Sequence, residues 1–243
     1  MEKIKGYPSY KDSGIEWLSH VPSDWNIGRL KNSVLSCNNG VWGEEQQNDE
    51  NDINCVRIAD FNRNNFEVND NEFTKRNLEK AKQKQYLLNK GDLLIEKSGG
   101  GEKQPVGFVA QYNIDKPAIY ANFMARIVLN PKNSLSGYFK YLHSSIYAHR
   151  LNVRSIKQTT GIQNLDTNYY FEEIVPYPSL KEQRKIADFL DQKTSEIDDL
   201  IADKERLIEL LEEKRQAVIT NAVTRGLDSN VEVKSVDHPW MKE

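Results

Sequence analysis

Apolar positions along the chain follow two regimes that meet near Pro176 and Pro178. Before the prolines, short β-branched and aromatic runs alternate with turn signals. INCVRIADF, GDLLIEKS, VGFVAQY and AIYANFMARIVL read as strands, with turn chemistry at NNG, NKG and SGGGEK. A single stretch there, GYFKYLHSSIYAHRL, has helical spacing, with Tyr138, Tyr141, Leu142, Ile146 and Leu151 on one face. After the prolines the period changes. Ser179 stands three residues before Glu182, the spacing of a capping box. From there Ile186, Leu190, Lys193, Ile197, Leu200, Lys204, Leu207, Leu211, Lys214 and Val218 keep an unbroken 4-3-4-3 spacing. Ile201 and Ile208 widen the stripe, and no glycine or proline intervenes before Gly226. A helix over 180–224 would be roughly 65 Å long. Its apolar stripe needs a partner helix, and the three seam lysines suit a shallow two-helix contact.

The pattern predicts an α+β fold: a mixed, irregular β-sheet domain followed by a long coiled-coil helix. Its segments are an N-terminal stretch at 1–19, the sheet domain at 20–178, the helix at 179–225 and a tail at 226–243. At 243 residues with 38% hydrophobic content, the chain is long enough for a real core. No apolar run reaches the roughly eighteen residues of a spanning helix, and MEKIKGYPSY has no secretory core, so a cytoplasmic protein is expected with no membrane partner. Cys37 and Cys55 form no paired motif and the four histidines have no zinc-ligand spacing. Two reduced structural thiols and no metal are expected.

Charge changes this picture. The formal net charge is −3, which by itself argues against a nucleic-acid binder. Residues 116–165, however, contain no Asp or Glu, while Lys116, Arg126, Lys132, Lys140, Arg150, Arg154 and Lys157 supply seven positive charges. Residues 181–224 hold eight basic and eleven acidic residues, so the helix alone carries the whole deficit. A basic block inside an acidic chain predicts a surface that attracts a polyanion. A merely solvating face is the plainer alternative.

Two polar segments carry candidate chemistry. IKQTTGIQNLD, at 156–166, gathers Lys157, Gln158, Thr159, Thr160, Gln163 and Asn164 around Gly161. Amides pair bidentately with adenine and lysine reads guanine or phosphate, so this segment is a candidate for base-edge readout. Alternatively it is a strand-turn-strand signature with Ile162 and Leu165 in the core. KSGGGEKQP, at 97–105, offers Lys97, Lys103 and Gln104 on a glycine-rich tip that could follow a phosphate backbone or be a plain hairpin tip. The order GxxxxGK[ST] is missing, so nucleotide binding is not expected. Arg150 and Arg154 complete the candidate DNA contacts. Trp42 and Arg57 are weaker ones. Asp92 and Glu96 before Lys97 fail the spacing of a nuclease site, and neither a Ser/His/Asp nor a Cys/His set can be drawn. No catalytic residue is expected.

Several phrases also resemble a known family. YPSYKDSGIEWLSHVPSDWNIGRLK looks like the start of the specificity subunit of type I restriction-modification enzymes. VWGEE, KGDLLIEKSGGGEKQPVGFVA and QTTGIQNL are similar to further family phrases. So is the stretch from PYPSLKEQRKIADFLD through the heptads to AVTRGL. The likeness covers essentially the whole chain. It implies a target recognition domain at 20–178 that binds double-stranded DNA and a non-catalytic chain that directs a methyltransferase subunit. A restriction subunit would join where present, and S-adenosylmethionine would be held by the methyltransferase. A typical member carries two recognition domains and two helical regions in about twice this length. One of each stands here, so the resemblance implies a half-length form completed by a second copy. Ile186, Leu190, Ile197, Leu200, Lys204, Leu207, Leu211 and Val218 would form the homodimer seam. The other reading is a coiled-coil scaffold that does not read DNA.

Overall fold

The computed structural model describes residues 6–159 and 161–227. The chain divides into two compact units, Met1–Gln192 and Lys193–Glu243. The first is built around the strand Asp92–Glu96. Leu93, Leu94 and Ile95 in it are all fully buried, although successive strand side chains point to opposite faces. Both faces are covered. Leu94 joins a core with Val56, Ile119, Tyr120 and Met124. Leu93 and Ile95 join another with Phe139, Ile146, Tyr170 and Val175. An apolar run without alternation is what a strand between two cores requires.

Around that strand lies a six-stranded sheet, ordered Val34–Asn39, Met124–Leu129, Asp92–Glu96, Val109–Tyr112, Glu67–Val68, Phe61–Asn62. A four-stranded sheet contains Ala118–Tyr120, Asp52–Val56, Thr74–Asn77 and Glu44–Glu45, and helix α1 (Lys80–Tyr86) packs beside its first strand. The second core is closed by helix α2 (Ser136–Ala148), which buries Tyr138, Phe139, Leu142, His143 and Ile146. A short α3 (Thr167–Tyr170) adds Tyr170. Asn26–Arg29 pairs with Ile174–Tyr177 directly before α4 (Leu180–Arg225).

The α+β class holds, with differences in detail. AIYANFMARIVL is two strands in two sheets, broken at Ala121–Phe123 by a turn that contains neither glycine nor proline. INCVRIADF stops being a strand at Val56, because Asp60 accepts a hydrogen bond from Arg57 N (2.7 Å) and closes a 3-10 turn. The helix at 137–151 ends at Ala148, and Arg150 takes a left-handed φ of 56° into a 3-10 turn. A boundary at 19/20 would cut the strand Leu18–Pro22, which forms a hairpin with Tyr10–Ile15. Trp17 of that hairpin packs on the second core, so the N-terminal stretch is part of the domain.

His143 is fully buried, with Nδ1 2.7 Å from the Tyr170 hydroxyl and Nε2 without a partner. Burial pushes its pKa down to about 3. The unfolded chain therefore binds a proton near pH 6.5 that the folded chain refuses, and stability falls as pH drops from about 6.5 towards 3. The slope is about 1.4 kcal/mol per pH unit. Burial of Glu96 gives an opposing slope in this range, so the test is a difference: in urea unfolding at pH 4, 5 and 7 the stability of the wild type should fall relative to that of His143→Gln by about this amount per pH unit. Equal slopes in both would contradict the assignment.

Candidate nucleic-acid interface

The two polar segments, far apart in sequence, share one sheet. Ser98–Gly99 pairs with Ile162–Leu165, which pairs in turn with Ile156–Thr159. Ser98 Oγ donates to Asn164 Oδ1 (2.6 Å), and Leu165 N donates to Lys97 O (2.8 Å). Gly161 closes the hairpin at φ 87°, and a Cβ there would meet nothing within 4 Å. The glycine is needed for its backbone angle and not for close packing.

Alternation sorts the segment. Gln163 and Leu165 point inward; Ile162 and Asn164 point outward. Gln163 is buried and its Oε1 accepts from Val106 N at 3.2 Å, so this amide fastens the end of the glycine-rich tip instead of facing a ligand. Ile162 is 53% exposed, which corrects its expected place in the core. Gln158 and Lys157 are exposed. Thr160 lies outside the described residues, and Thr159 is described by its strand alone.

The tip itself is closed by Gly101 N donating to Gln104 O (3.0 Å), leaving Lys103 and Gln104 exposed. Arg150 Nη2 donates to Glu102 O (3.2 Å), which brings this arginine to the same tip. No helix follows the glycines; the next element is the strand Val109–Tyr112. The residues therefore do not fit a nucleotide phosphate cradle.

The expected basic field is largely neutralised in space. Lys116 pairs with Asp70, Arg126 with Asp92, Lys140 with Glu67 and Asp191, Arg154 with Glu173, and Lys157 with Asp166. The carboxylates come from before and after the acid-free block. Arg154 grips the nearly buried Glu173 through Nε (2.8 Å) and Nη2 (2.9 Å), so it holds the fold. Lys157 is different: its side chain is 75% exposed and its pair with Asp166 (2.7 Å) is open to solvent. Such a pair is worth little and exchanges readily for a phosphate. The hydrogen bond from Lys157 holds the Asp166 carboxyl below its usual range, helped by backbone donors. Lys132 and Arg150 have no carboxylate partner among the described residues.

Other groups stand beside this surface: Asn38 and Asn39 carry only the NNG turn signal in the sequence, and Phe123 carries none. Phe123 is 53% exposed, and its carbonyl accepts from both Lys97 N (2.8 Å) and Ser98 N (3.1 Å). Lys97 Nζ donates to Asn39 Oδ1 (2.8 Å), beside the exposed Asn38. An exposed aromatic ring with amides and lysines can take a base face and base edges. Trp42 lies instead under the Arg76 guanidinium, 4.4 Å from its ring centre, and Arg57 pairs with Asp60 (3.5 Å).

Asp92 and Glu96, the acids before Lys97, serve the fold. Asp92 faces Arg126, and burial raises its carboxyl pKa. Glu96 is buried against Arg63, and burial pushes it up to about 7. Burial also raises Cys37 to about 11 and Cys55 to about 12, leaving both free thiols unreactive. Among the described residues no His, Cys, Asp and Glu group is placed to hold a metal.

Helix α4 starts where the capping signal stands: Ser179 Oγ accepts from Glu182 N (3.3 Å). In the first unit Ile186 packs on the second core and Ala187 is buried. In the second unit Ile197, Leu200, Ile201, Leu207, Ile208, Leu211 and Val218 are all exposed. So are Leu210, Ile219 and Val223, which lie beside the heptad seam. The helix ends at Gly226, whose φ of 73° lets its N–H reach Ala222 O (3.2 Å). The tail from 228 on lies outside the described residues. No helix among the described residues is long and apolar enough to cross a membrane.

Residues 22–210 match the family described as the type I restriction modification DNA specificity domain. The chain is 26% identical over 213 residues to the type I restriction enzyme EcoKI specificity subunit of Escherichia coli K12, covering 85% of this chain and 44% of that one. It is 28% identical over 174 residues to the StySPI specificity subunit of Salmonella potsdam, covering 71% and 36%. It thus spans less than half the length of these curated relatives. The fold is similar to the HsdS subunit of Thermoanaerobacter tengcongensis (TM-score 0.61, 14% identity, 88% of this chain and 52% of that one). A chain from a structure describing complex assembly and conformational transition of a type I R-M system is equally similar (TM-score 0.61, 17% identity, 90% and 49%).

Proposed function

The chain belongs to the type I restriction-modification DNA specificity domain family, and from that membership we propose that it reads one half of a bipartite DNA target as a homodimer. The observation that carries this reading is the single sheet that unites Ser98, Lys157, Gln158 and Asn164, with Lys97 directly before its edge strand. Lys103, Gln104 and Arg150 meet at the adjoining tip. Lys97, Lys103, Arg150 and Lys157 neutralise phosphates, while Gln104, Gln158 and Asn164 face base edges. Arg154 and Gln163 support the fold behind them.

The exposed stripe of α4 supplies the second copy. Two identical domains related by a two-fold axis read identical half-sites, so the target is palindromic with a nonspecific spacer. The dimer directs a methyltransferase subunit, and a restriction subunit where one exists, to that site in the cytoplasm. Methyl transfer from S-adenosylmethionine takes place in the methyltransferase; the residues of this chain bind and position DNA. A scaffold that never touches DNA would use α4 equally well but leaves the exposed lysines and amides of the small sheet without a role.

Titration of the assembled complex at several salt concentrations tests the assignment. Lys157→Ala and Arg150→Ala should weaken cognate and unrelated DNA alike and lower the salt slope by about one. Arg154→Ala should lower thermal stability and leave the slope unchanged. Asn164→Ala or Gln104→Ala should cost about 1–3 kcal/mol on cognate DNA alone and relax one position in each half-site. Binding indifferent to salt and to all four substitutions would refute the interface.

A further inference from the structure

Lys140 is the least expected cation in the chain. It lies on α2 with its side chain only 4% exposed, and Nζ meets Glu67 Oε1 at 3.0 Å and Asp191 Oδ1 at 2.9 Å. Glu67 belongs to the six-stranded sheet and Asp191 to the fourth turn of α4. The neighbouring Tyr141 hydroxyl donates to the same Asp191 oxygen (2.7 Å). One cation thus joins sheet, α2 and α4. Burial pulls the Lys140 pKa down, but the bonds to Asp191 and Glu67 more than offset it, so the ammonium stays charged.

A second polar seat lies about two turns before Asp191 on α4's own path. Gln183 is fully buried; its Oε1 accepts from Leu135 N (2.9 Å), and its Nε2 donates to Asn133 O (2.8 Å) and Pro178 O (3.0 Å). Apolar packing tolerates sliding, whereas directional bonds at two points along a helix fix both its rotation and its rise.

The Lys140 node also connects to the reading surface. Glu67 ends a tight turn whose other end carries Arg63. Within the turn Asn62 Oδ1 accepts from Asn64 N (2.9 Å), and Phe66 sits at a left-handed φ of 61°. Arg63 lies over the Phe108 ring, 4.5 Å from its centre, and pairs with the buried Glu96. Glu96 is followed at once by Lys97 and Ser98, the edge of the small sheet. Two ionic contacts, Asp191–Lys140–Glu67 and Arg63–Glu96, are therefore joined through the short turn between Arg63 and Glu67 and lead from α4 to that edge.

We propose that Lys140 is a positioning residue for DNA recognition: by locking the first turns of α4 to the reading edge, it sets the separation of half-sites that the dimer accepts. The proposal rests on the dimeric half-site reading above. One base pair added to the spacer moves the second half-site by about 3.4 Å. A seat that yields by that distance would lose the ability to reject it. Simultaneous engagement raises avidity by about 10²–10⁴-fold only where the geometry permits it, so a rigid seat converts spacer length into affinity.

The test uses the full chain assembled with its methyltransferase and synthetic duplexes carrying the two mapped half-sites with spacers shorter by one, correct, or longer by one base pair. A duplex with a single half-site is the control. Lys140→Met keeps the aliphatic volume, and Glu67 (29% exposed) and Asp191 (51% exposed) both reach solvent when the cation is gone. Asp191→Ala opens the same lock from the other side while leaving Lys140 paired with Glu67. In both variants single-half-site affinity should stay within about twofold of wild type, while the preference for the correct spacer falls at least about tenfold. If folded variants keep the wild-type spacer preference, or lose single-half-site and bipartite binding in parallel, Lys140 supports stability alone and the proposal fails. If the wild type itself shows no bipartite advantage, the dimeric reading fails first.

Discussion

Replacing Leu200 and Leu207 together with Asp should leave the protein monomeric at micromolar concentration and lower its affinity for the bipartite site by about 10²–10⁴-fold, the avidity of two linked half-sites. Both side chains are exposed on α4, roughly half of each facing solvent. In a dimer each substitution removes two leucines from the contact and sets carboxylates in their place. Full burial of a leucine is worth about 2 kcal/mol, so these half-exposed side chains gain about 1 kcal/mol each, and the four lost amount to about 4 kcal/mol, roughly a thousandfold in association before the cost of burying carboxylates. An antiparallel pair centred on Lys204 places Ile197 opposite Leu211, Leu200 opposite Ile208, and Leu190 opposite Val218, positions equally far from the axis. Both substituted residues follow Gln192, where the first compact unit ends, so that unit should keep its melting transition. A dimer that survives the double substitution, seen by sedimentation, would show that the helix stripe is not the interface.

Gly40→Ala should lower the melting temperature by about 6–12 °C, because a Cβ there would stand 2.3 Å from the carbonyl oxygens of both Tyr120 and Ala121. Those are backbone atoms held in place by Gly40 N donating to Met124 O (3.0 Å) and Val41 N donating to Tyr120 O (2.9 Å). Relief requires the chain crossing between two sheets to move, at about 3 kcal/mol, which for a chain of this size is about 2–4 °C per kcal/mol. The same movement displaces Phe123, whose carbonyl holds the Lys97 edge, so base preference should fall along with stability. Gly101→Ala is the control: a Cβ at that position meets nothing within 4 Å. An unchanged melting temperature in Gly40→Ala would mean that the NNG turn is looser than the fold requires.

How much of this was legible in the sequence depended on the range of the interaction. The heptads, the Ser179 cap and the Gly226 stop are local patterns, and α4 follows them from Leu180 to Arg225. The hairpin around Gly161 was legible for the same reason. The pairing of Ser98 with Asn164 spans 66 positions and leaves no periodic trace. The ion pairs misled more seriously. Counting charges along residues 116–165 finds a basic block, but Lys140 meets Glu67 from 73 residues before it and Arg154 meets Glu173 from 19 after it. Linear charge density describes a field only where the chain does not bring its own counter-charges back. Gln163 shows the limit of residue type as a guide. An amide beside a glycine turn suits a base edge, yet strand alternation turns this one inward to Val106 and leaves Asn164 facing out.

The most direct test of the central claim is a genome-wide map of methylated bases in cells carrying this chain with its methyltransferase, compared with cells lacking the chain. Reading by a symmetric dimer predicts methylation that depends on the chain and falls in a motif of two identical, inverted halves separated by a spacer of fixed length and free sequence. Methylation that persists without the chain, or a motif that is contiguous or has two unlike halves, would contradict it.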